Sequence, residues 1–299
     1  MHDLFTKLYG QPPITVELIG DGVNMRVYAA HFAGGLPDKV LKMAGDGDWK
    51  PWAVLDEQAV MRALRDEGVV EVPEIEMSQE DVDWSVRPFF TIKRFDPGTN
   101  IESGVGPDYP NAERIWRSAG ALRARLGRVD WQCTTRSLTP RQARAQIHRF
   151  LNWDKQALDA LPAWRGVFDS LLDAARAYAD LGGEHFGQMD EAEILLDGEQ
   201  LALVDFSGFA GAHRRLREIG SINGRLRWRY GGDRRIPAWQ EAGFFGDEPV
   251  TPAMRRELTV YELSELASGA GWLADTGRTA ERDSRLTFAR TRLSEMGLS

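Results

Sequence analysis

Cysteine and histidine are scarce in this sequence, and their scarcity excludes several kinds of site. One cysteine, Cys133, stands among 299 residues, so an internal disulfide is impossible and a reducing cytoplasm is the expected environment. The five histidines are scattered, with neither HExxH nor the Cys and His spacing of a zinc site. The sequence also lacks a GxxxxGK(S/T) phosphate loop and a GxSxG nucleophile elbow, which argues against those two enzyme classes.

Long hydrophobic stretches are missing as well. No stretch approaches the roughly 20 residues that a membrane helix needs, and the beginning MHDLFTKLYGQPP has no apolar run typical of a signal peptide. The net charge of −8 argues against non-specific binding to nucleic acid. We therefore expect a cytoplasmic protein without a membrane or nucleic-acid partner, built as two domains or one two-lobed domain.

The first ninety or so residues have the pattern of strands with one helix. TVELIGDGVNMRVYAAHF has strand-like runs on both sides of a glycine turn, and KVLKMA and WSVRPFFTIKRF are typical of further strands. Residues 51–66 have apolar side chains at helical spacing.

Beyond Gly98 the pattern becomes helical, interrupted by one hairpin. The ranges 110–127, 139–160 and 164–181 have a periodicity near 3.6, and the chain is again helical from about residue 210. The Asp197-Gly198 turn separates the apolar runs EILL and LALVDF, which predicts a hairpin inside this helical part. Together the two halves predict an α+β fold.

Four features follow one another in the order of a phosphoryl-transfer site. The turn from Gly20 to Asn24 could place backbone N–H groups against phosphates. Lys42, one of only six lysines, ends the apolar run Val-Leu-Lys, and Glu57 lies in the next predicted helix, where the two could pair. Asp205 ends the second strand of the hairpin, where a carboxylate is well placed to hold Mg²⁺.

Each feature taken alone also has an ordinary structural explanation. Gly20-Asp21-Gly22 fits a plain hairpin turn, because the full GxGxxG pattern is missing. Lys42 fits an edge residue whose ammonium group reaches water, and Glu57 fits charge complementarity at a helix end. Only the combination of the four favours a phosphate site.

These segments resemble the aminoglycoside phosphotransferase and choline kinase family, a branch of the protein-kinase-like fold. LIGDGVNMRVY resembles its nucleotide loop, VLKM its lysine strand, LDEQAVMRAL the helix with the lysine's glutamate partner, and PFFTIKRFDPG its hinge. HFGQMDEAEILLDGEQLALVDF resembles the catalytic loop and metal hairpin. The resemblance implies a two-lobed fold, with a β-rich nucleotide-binding N-lobe (1–97) that has one key helix. A mainly helical C-lobe (98–299) would contain the catalytic loop, the metal hairpin and the substrate side.

The resemblance also implies roles for individual residues, with ATP or GTP and Mg²⁺ as cofactors. Lys42 would bind the α and β phosphates, Glu57 would orient Lys42, and Asp205 would bind Mg²⁺. The backbone around residues 91–94 would meet the adenine. The implied nucleotide-binding residues are Gly20, Gly22, Asn24, Lys42, Glu57 and Lys93.

The catalytic loop departs from the family's HGDxxxxN pattern. Counting back from the strand, the metal-binding Asn falls on Glu193 and the catalytic Asp on Gln188. Aligning His185 instead puts Gly187 at the Asp position, so neither register gives an aspartate. Gln188 can orient a hydroxyl group but cannot take its proton, whereas Glu193 can still offer an oxygen to Mg²⁺. Asp190 is the nearby carboxylate that could act as base, although its position fits a solvated loop residue better.

Two functions of different classes are therefore open. The first is a phosphotransferase acting on a small-molecule or peptide hydroxyl group, in a bacterial resistance or natural-product pathway. The ratio of 31 arginines to six lysines is typical of a GC-rich bacterial genome. The second is a pseudokinase that binds nucleotide, ligand or a partner protein without transfer. The retained Lys42, Glu57 and Asp205 favour the enzyme, and the loop favours the pseudokinase.

The distribution of charge along the sequence is the feature that bears on the acceptor substrate. Residues 213–235 hold eight arginines and follow the hairpin directly, where the family's substrate-side lobe begins. An exposed arginine cluster would repel a cationic aminoglycoside, so an anionic or peptide acceptor is expected. The oligomeric state cannot be predicted.

Overall fold

A computed structural model describes residues 1–21, 25–44, 52–81, 87–93, 98–126, 162, 165, 194–204, 206 and 215–296. These residues form two compact units. The first unit contains the described residues up to Asn100 together with 194–206, and the second contains 101–126 and 215–296. The functional division at residues 97 and 98 stays a prediction.

A five-stranded antiparallel sheet forms most of the first unit, with the strand order β1-β2-β3-β5-β4. Cross-strand pairs fix its register: Lys42 of β3 lies opposite Val27 of β2 and Phe90 of β5. The strands are β1 (Thr15–Asp21), β2 (Met25–His31), β3 (Lys39–Ala44), β4 (Ile75–Ser78) and β5 (Phe89–Lys93).

Among the described residues of this unit are two α-helices, one more than the sequence pattern predicts, and a short 3-10 helix at Gln79–Asp81. Helix α1 (His2–Tyr9) packs Phe5 and Leu8 into a core with Leu41 and Phe89 of the sheet. It was missed because two turns are too short for a clear helical period. Helix α2 (Trp52–Asp66), which residues 51–66 predicted, packs against β3, β4 and β5.

The predicted hairpin is confirmed and lies in a small three-stranded sheet with the order β6-β7-β8. Strands β7 (Ile194–Asp197) and β8 (Gln200–Leu203) are joined by Gly198 and Glu199, and Gly198 has a φ of +59°. The turn therefore falls one residue later than the predicted Asp197-Gly198, because Asp197 pairs with Gln200 and ends β7.

The third strand of this small sheet explains why residue 98 is a glycine. Strand β6 (Thr99–Asn100) pairs with Leu196 and Leu195 of β7. Just before it, a Cβ on Gly98 would lie 2.8 Å from the carbonyl carbon of Leu196. Only glycine fits this close approach of two backbones.

The described part of the second unit is helical, as predicted. Apart from residue 165, the predicted helices over 139–160 and 164–181 lie outside the described residues. None of the helices within the described ranges combines the length and apolar character needed to cross a membrane. The helices are α3 (Ile101–Gly104), α4 (Ala112–Leu126), α5 (Arg215–Arg229), α6 (Arg235–Phe245), α7 (Pro252–Asp275) and α8 (Thr279–Glu295).

Glycines bring two helix pairs of the second unit close together. A Cβ on Gly243 of α6 would lie 2.7 Å from the carbonyl carbon of Arg117 in α4. A Cβ on Gly220 or Gly224 of α5 would lie 2.7 Å or 2.6 Å from atoms of α7. The four-residue spacing of Gly220 and Gly224 puts both on one helix face, so α7 can rest on the backbone of α5.

Candidate functional site

A buried ion pair joins β3 to α2. The Nζ atom of Lys42 lies 2.6 Å from Oε1 of Glu57, with side chains 12% and 0% exposed. Alternation along β3 turns Lys42 to the opposite face from Leu41, which packs against α1. The sequence predicts both residues and their pairing, and the structure brings them together. Their role toward a nucleotide stays a prediction.

The same carboxylate is tied to the hairpin segment. The backbone N–H of Phe206 donates to Glu57 Oε1 over 3.3 Å, and Phe206 itself is buried. The other oxygen, Oε2, is buried without a hydrogen-bond partner among the described residues. Glu57 therefore links the lysine strand to the residue that follows Asp205 in the sequence.

The predicted catalytic and metal residues cannot be compared with the structure. All four lie outside the described residues: Gln188, Asp190, Glu193 and Asp205. Within the described ranges, no group of three or more His, Cys, Asp or Glu side chains could hold a metal ion. The predicted donors are carboxylates, the ligand type that Mg²⁺ takes, and the Glu57–Phe206 bond anchors the chain next to one of them. On this chemistry the residues fit the ion.

The predicted nucleotide loop is described at its edge only. Strand β1 has a register shift between Leu18 and Gly20, after which Gly20 lies opposite Val27 and Asp21 opposite Arg26. The Asp21 carboxylate accepts from Arg26 Nε over 3.3 Å, which ties the two sides of the turn. Gly22 and Asn24 lie outside the described residues.

Lys93 lies on the other face of the sheet from Lys42. It is directly opposite Lys39, three residues before Lys42 on β3, and its side chain is exposed. A side-chain contact from Lys93 to a nucleotide beside Lys42 has no support in this arrangement. The contact predicted for the backbone around residues 91–94 stays a prediction.

A second buried lysine pair on β3 was missed by sequence reasoning. Lys39, only 4% exposed, donates to Oε1 of Glu76 over 2.7 Å, and Tyr9 donates to Oε2 of Glu76 and contacts the Thr91 hydroxyl. Burial raises the pKa of the Tyr9 phenol well above its ordinary value, although the hydrogen bond with Thr91 lowers it. This cluster joins α1 to the sheet, so a buried lysine with a glutamate partner is not by itself a sign of a phosphate site.

The expected arginine cluster is described in part, and several of its members form ion pairs. The described arginines with known partners between 225 and 235 are paired with acidic side chains from other parts of the second unit. Arg229, Arg234 and Arg235 stay 39%, 73% and 50% exposed, so the preference for an anionic or peptide acceptor stays a prediction. The pairs are Arg225–Glu265, Arg227–Glu262, Arg229–Glu102, Arg234–Glu295 and Arg235–Asp108.

Comparison with known proteins identifies both the sequence pattern and the fold. The phosphotransferase enzyme family matches residues 15–206, which is more than half of the chain. Curated proteins give no significant sequence match.

Solved structures of kinases share the fold at low sequence identity. A choline kinase from Cryptosporidium parvum is 12% identical, covers 95% of this chain and 91% of its own, and has a TM-score of 0.58. Spectinomycin phosphotransferase with ADP and its antibiotic is 15% identical, with coverages of 99% and 93% and a TM-score of 0.58.

A third structure is a thermostable mutant of an aminoglycoside phosphotransferase in a ternary complex with AMP-PNP and hygromycin B. It is 13% identical, covers 98% of both chains and has a TM-score of 0.59. These likenesses confirm the predicted kinase-like α+β fold: an N-terminal antiparallel sheet and a mainly helical remainder with a small three-stranded sheet.

Proposed function

Because the chain belongs to the phosphotransferase enzyme family, we propose that it transfers a phosphoryl group from ATP or GTP to a hydroxyl group. The observation that carries the proposal is the buried Lys42–Glu57 pair, whose carboxylate also accepts the N–H of Phe206. The ADP and AMP-PNP bound to two of the similar structures support a nucleotide as the donor.

The bond from Phe206 to the Lys42–Glu57 pair favours a functional role over a purely stabilising one. Removing two charges from water costs several kcal/mol per ion, and the attraction between them repays this only with excellent geometry and further hydrogen bonds. Glu57 Oε2 has no such bond among the described residues. The pair is therefore a weak stabiliser of the contact between α2 and the sheet. Unlike the Lys39–Glu76 pair, it is also bonded to the backbone next to the predicted Asp205, which fits an ammonium group held ready for a phosphate.

Each predicted residue has a part in the proposed site. Lys42 binds the donor's phosphates as a point charge, and Glu57 fixes the position of its ammonium group. Asp205 and Glu193 would hold Mg²⁺, which neutralises charge on the phosphates when bound. The loop with Gly20, Gly22 and Asn24 would cover the phosphates, and the backbone at Lys93 would meet the base. In this proposal residues 1–97 form the nucleotide lobe and 98–299 the catalytic and substrate lobe.

The degenerate catalytic loop sets how a proton could leave the acceptor. Gln188 can orient the attacking hydroxyl group by hydrogen bonds but does not accept its proton at neutral pH. Asp190 is the carboxylate proposed as base. Phosphoryl transfer depends mainly on positioning and charge neutralisation, and a base contributes roughly 10²–10⁴-fold. A loop without the family's aspartate therefore slows transfer without preventing it.

The alternative function is a pseudokinase that binds a nucleotide, ligand or partner without transfer. The observation that favours it is the pair of substitutions at Gln188 and Glu193, which replace the family's base and metal-binding Asn. The Lys42–Glu57 pair fits either function, because both require the nucleotide site.

The proposed acceptor is a small molecule or a peptide with a free hydroxyl group. The similar structures bind spectinomycin and hygromycin B, whereas the exposed Arg229, Arg234 and Arg235 of this chain favour an anionic or peptide acceptor.

Thermal unfolding with nucleotides tests the proposed site, and product mass tests the transfer. A ligand at 100 times its Kd raises the unfolding free energy by about 2.7 kcal/mol, a readily measured shift. Stabilisation by Mg·ATP or Mg·GTP, followed by a gain of phosphate mass on an acceptor from a hydroxyl library, is the expected result. Stabilisation without any transfer or nucleotide hydrolysis would indicate the pseudokinase. No stabilisation by ATP, GTP or ADP, with or without Mg²⁺, would exclude the nucleotide site.

A further inference from the structure

A cavity of about 430 Å³ lies among the last four helices of the second unit, α5 to α8. This volume lies within the range of about 300–1,000 Å³ typical of small-molecule sites. Part of its wall is apolar, formed by Pro237, Ala238 and Leu258. The rest is strongly charged, with four arginines facing three glutamates: Arg227, Arg234, Arg255 and Arg292, and Glu241, Glu262 and Glu295.

The glutamates of this cavity already have donors. Glu262 accepts from Arg227 over 2.7 Å and from Arg292 over 2.9 Å. Glu241 accepts from Asn223 Nδ2 over 2.7 Å and from Arg255. A cationic ligand would have to compete with the arginines already bound to these carboxylates, so the carboxylates are poor sites for it.

Glu295 is occupied in the same way. It accepts from Arg292, and its Oε2 lies 3.6 Å from Arg234 Nη2 and 4.0 Å from Arg227 Nη2. Every carboxylate on the wall therefore contacts at least one guanidinium group, and Glu262 and Glu295 each contact two or more.

The arginines, in contrast, have donors to spare. Each guanidinium has five N–H groups. Nε of Arg227, whose side chain is 8% exposed, has no hydrogen-bond partner among the described residues. The side chains of Arg234 and Arg255 are 73% and 53% exposed, so their free N–H groups are accessible. Burial lowers the pKa of Arg227, partly offset by Glu262, so a further negative charge nearby would stabilise its charged form.

From this excess of donors and of positive charge, we propose that the cavity binds a small anionic molecule through a carboxylate or phosphate group. Arg234 and Arg255 contact the anion, and Arg227 supplies the buried positive charge behind them. Planar guanidinium groups suit this task because they bind both oxyanions in bidentate geometry. The proposal does not depend on the phosphotransferase activity.

Thermal unfolding of the full chain with two anions tests this site. Inorganic phosphate and succinate are titrated at constant ionic strength, with NaCl as the balancing salt. We expect a saturable rise in Tm with at least one of them. The response to phosphate or to succinate then tells whether the site prefers a phosphoryl or a carboxylate group.

Two variants on neighbouring residues make the test specific. Arg255→Gln should raise the Kd of the anion about tenfold or more, since it removes a charge-assisted hydrogen bond to the anion. Arg256→Gln removes the same charge from an exposed position outside the cavity wall and should leave the Kd unchanged. If Arg255→Gln does not fold, Arg234→Gln gives the same test from the most exposed arginine of the wall.

Three results would overturn the proposal. One is the absence of saturable stabilisation by either anion. Another is an equal effect of Arg255→Gln and Arg256→Gln, which would indicate general charge screening. The third is loss of the effect in Lys42→Met, which would place the anion at the proposed nucleotide site. Nucleotide binding by Arg255→Gln, measured in parallel, separates failure of this site from failure of the proposed function.

Discussion

Glu57 accepts a hydrogen bond from the backbone N–H of Phe206, although 149 residues separate them in the sequence. The same oxygen accepts from Lys42, so one carboxylate connects a strand of the large sheet with the end of the small one. Because the connection is made to a backbone group, it does not depend on the side chain at position 206. Movement of α2 would therefore disturb both the lysine and the hairpin end.

Replacing Lys42 should weaken nucleotide binding without a matching effect from Lys39. Lys42→Met keeps the length of the side chain but removes the charge proposed to bind phosphates, so we expect at least a tenfold rise in nucleotide Kd, or about 1.4 kcal/mol. Lys39→Met, the control, removes a buried glutamate-paired lysine from the same strand on the opposite face. Direct titration with ATP and GTP measures both, at a temperature where each variant is folded. Equal losses would show that the effect arises from strand stability.

The Lys42 pairing could be predicted from the sequence because it depends on local patterns. A lysine inside an apolar strand and a glutamate in the second turn of the next helix are 15 residues apart. The hairpin follows from Gly198 between two apolar runs, since a positive φ favours glycine. Both predictions depend only on the spacing of apolar residues in strands and helices and on a glycine at a turn.

The missed contacts depend on distant partners. Lys39 pairs with Glu76 across the sheet, and Arg229 with Glu102 from the beginning of the second unit. Nothing in the spacing of the arginines indicates which acidic side chains pair with them in the fold. From the sequence alone, an arginine-rich segment therefore predicts an unpaired cationic surface. The bound pairs appear only when the helices are packed.

Glu57→Ala should expose the amide of Phe206 to hydrogen exchange. The variant removes the acceptor of that N–H, and leaving a buried donor unsatisfied costs about 1–3 kcal/mol. Glu57→Gln keeps an acceptor oxygen of the same reach, so it should preserve most of the protection while removing the negative charge beside Lys42. Exchange at position 206, followed by NMR or mass spectrometry, measures the difference. Equal protection in the Ala and Gln variants would argue against the hydrogen bond.

Gly98→Ala should destabilise the first unit. Its Cβ would lie 2.8 Å from the carbonyl carbon of Leu196, so the backbones of β6 and β7 would have to separate. Overpacking of this kind typically costs about 1–3 kcal/mol. Gly106→Ala is a suitable control, because its Cβ would meet only the Tyr230 ring at 3.4 Å. Denaturant unfolding of both variants gives the comparison, and a neutral Gly98→Ala would contradict the close approach.

Two variants in the catalytic loop distinguish the enzyme from the pseudokinase. If Asp190 is the base, Asp190→Asn should reduce turnover roughly 10²-fold or more while nucleotide affinity stays similar, because only a carboxylate takes the proton. If the enzyme works without a base, Asp190→Asn should have little effect and Gln188→Asp should raise the rate by supplying one. If the protein is a pseudokinase, neither change alters the bound nucleotide and no phosphorylated product forms. Turnover and nucleotide Kd, measured separately for each variant, distinguish the three cases. A fall in nucleotide affinity parallel to the fall in turnover for Asp190→Asn would assign Asp190 to ligand binding instead of proton transfer.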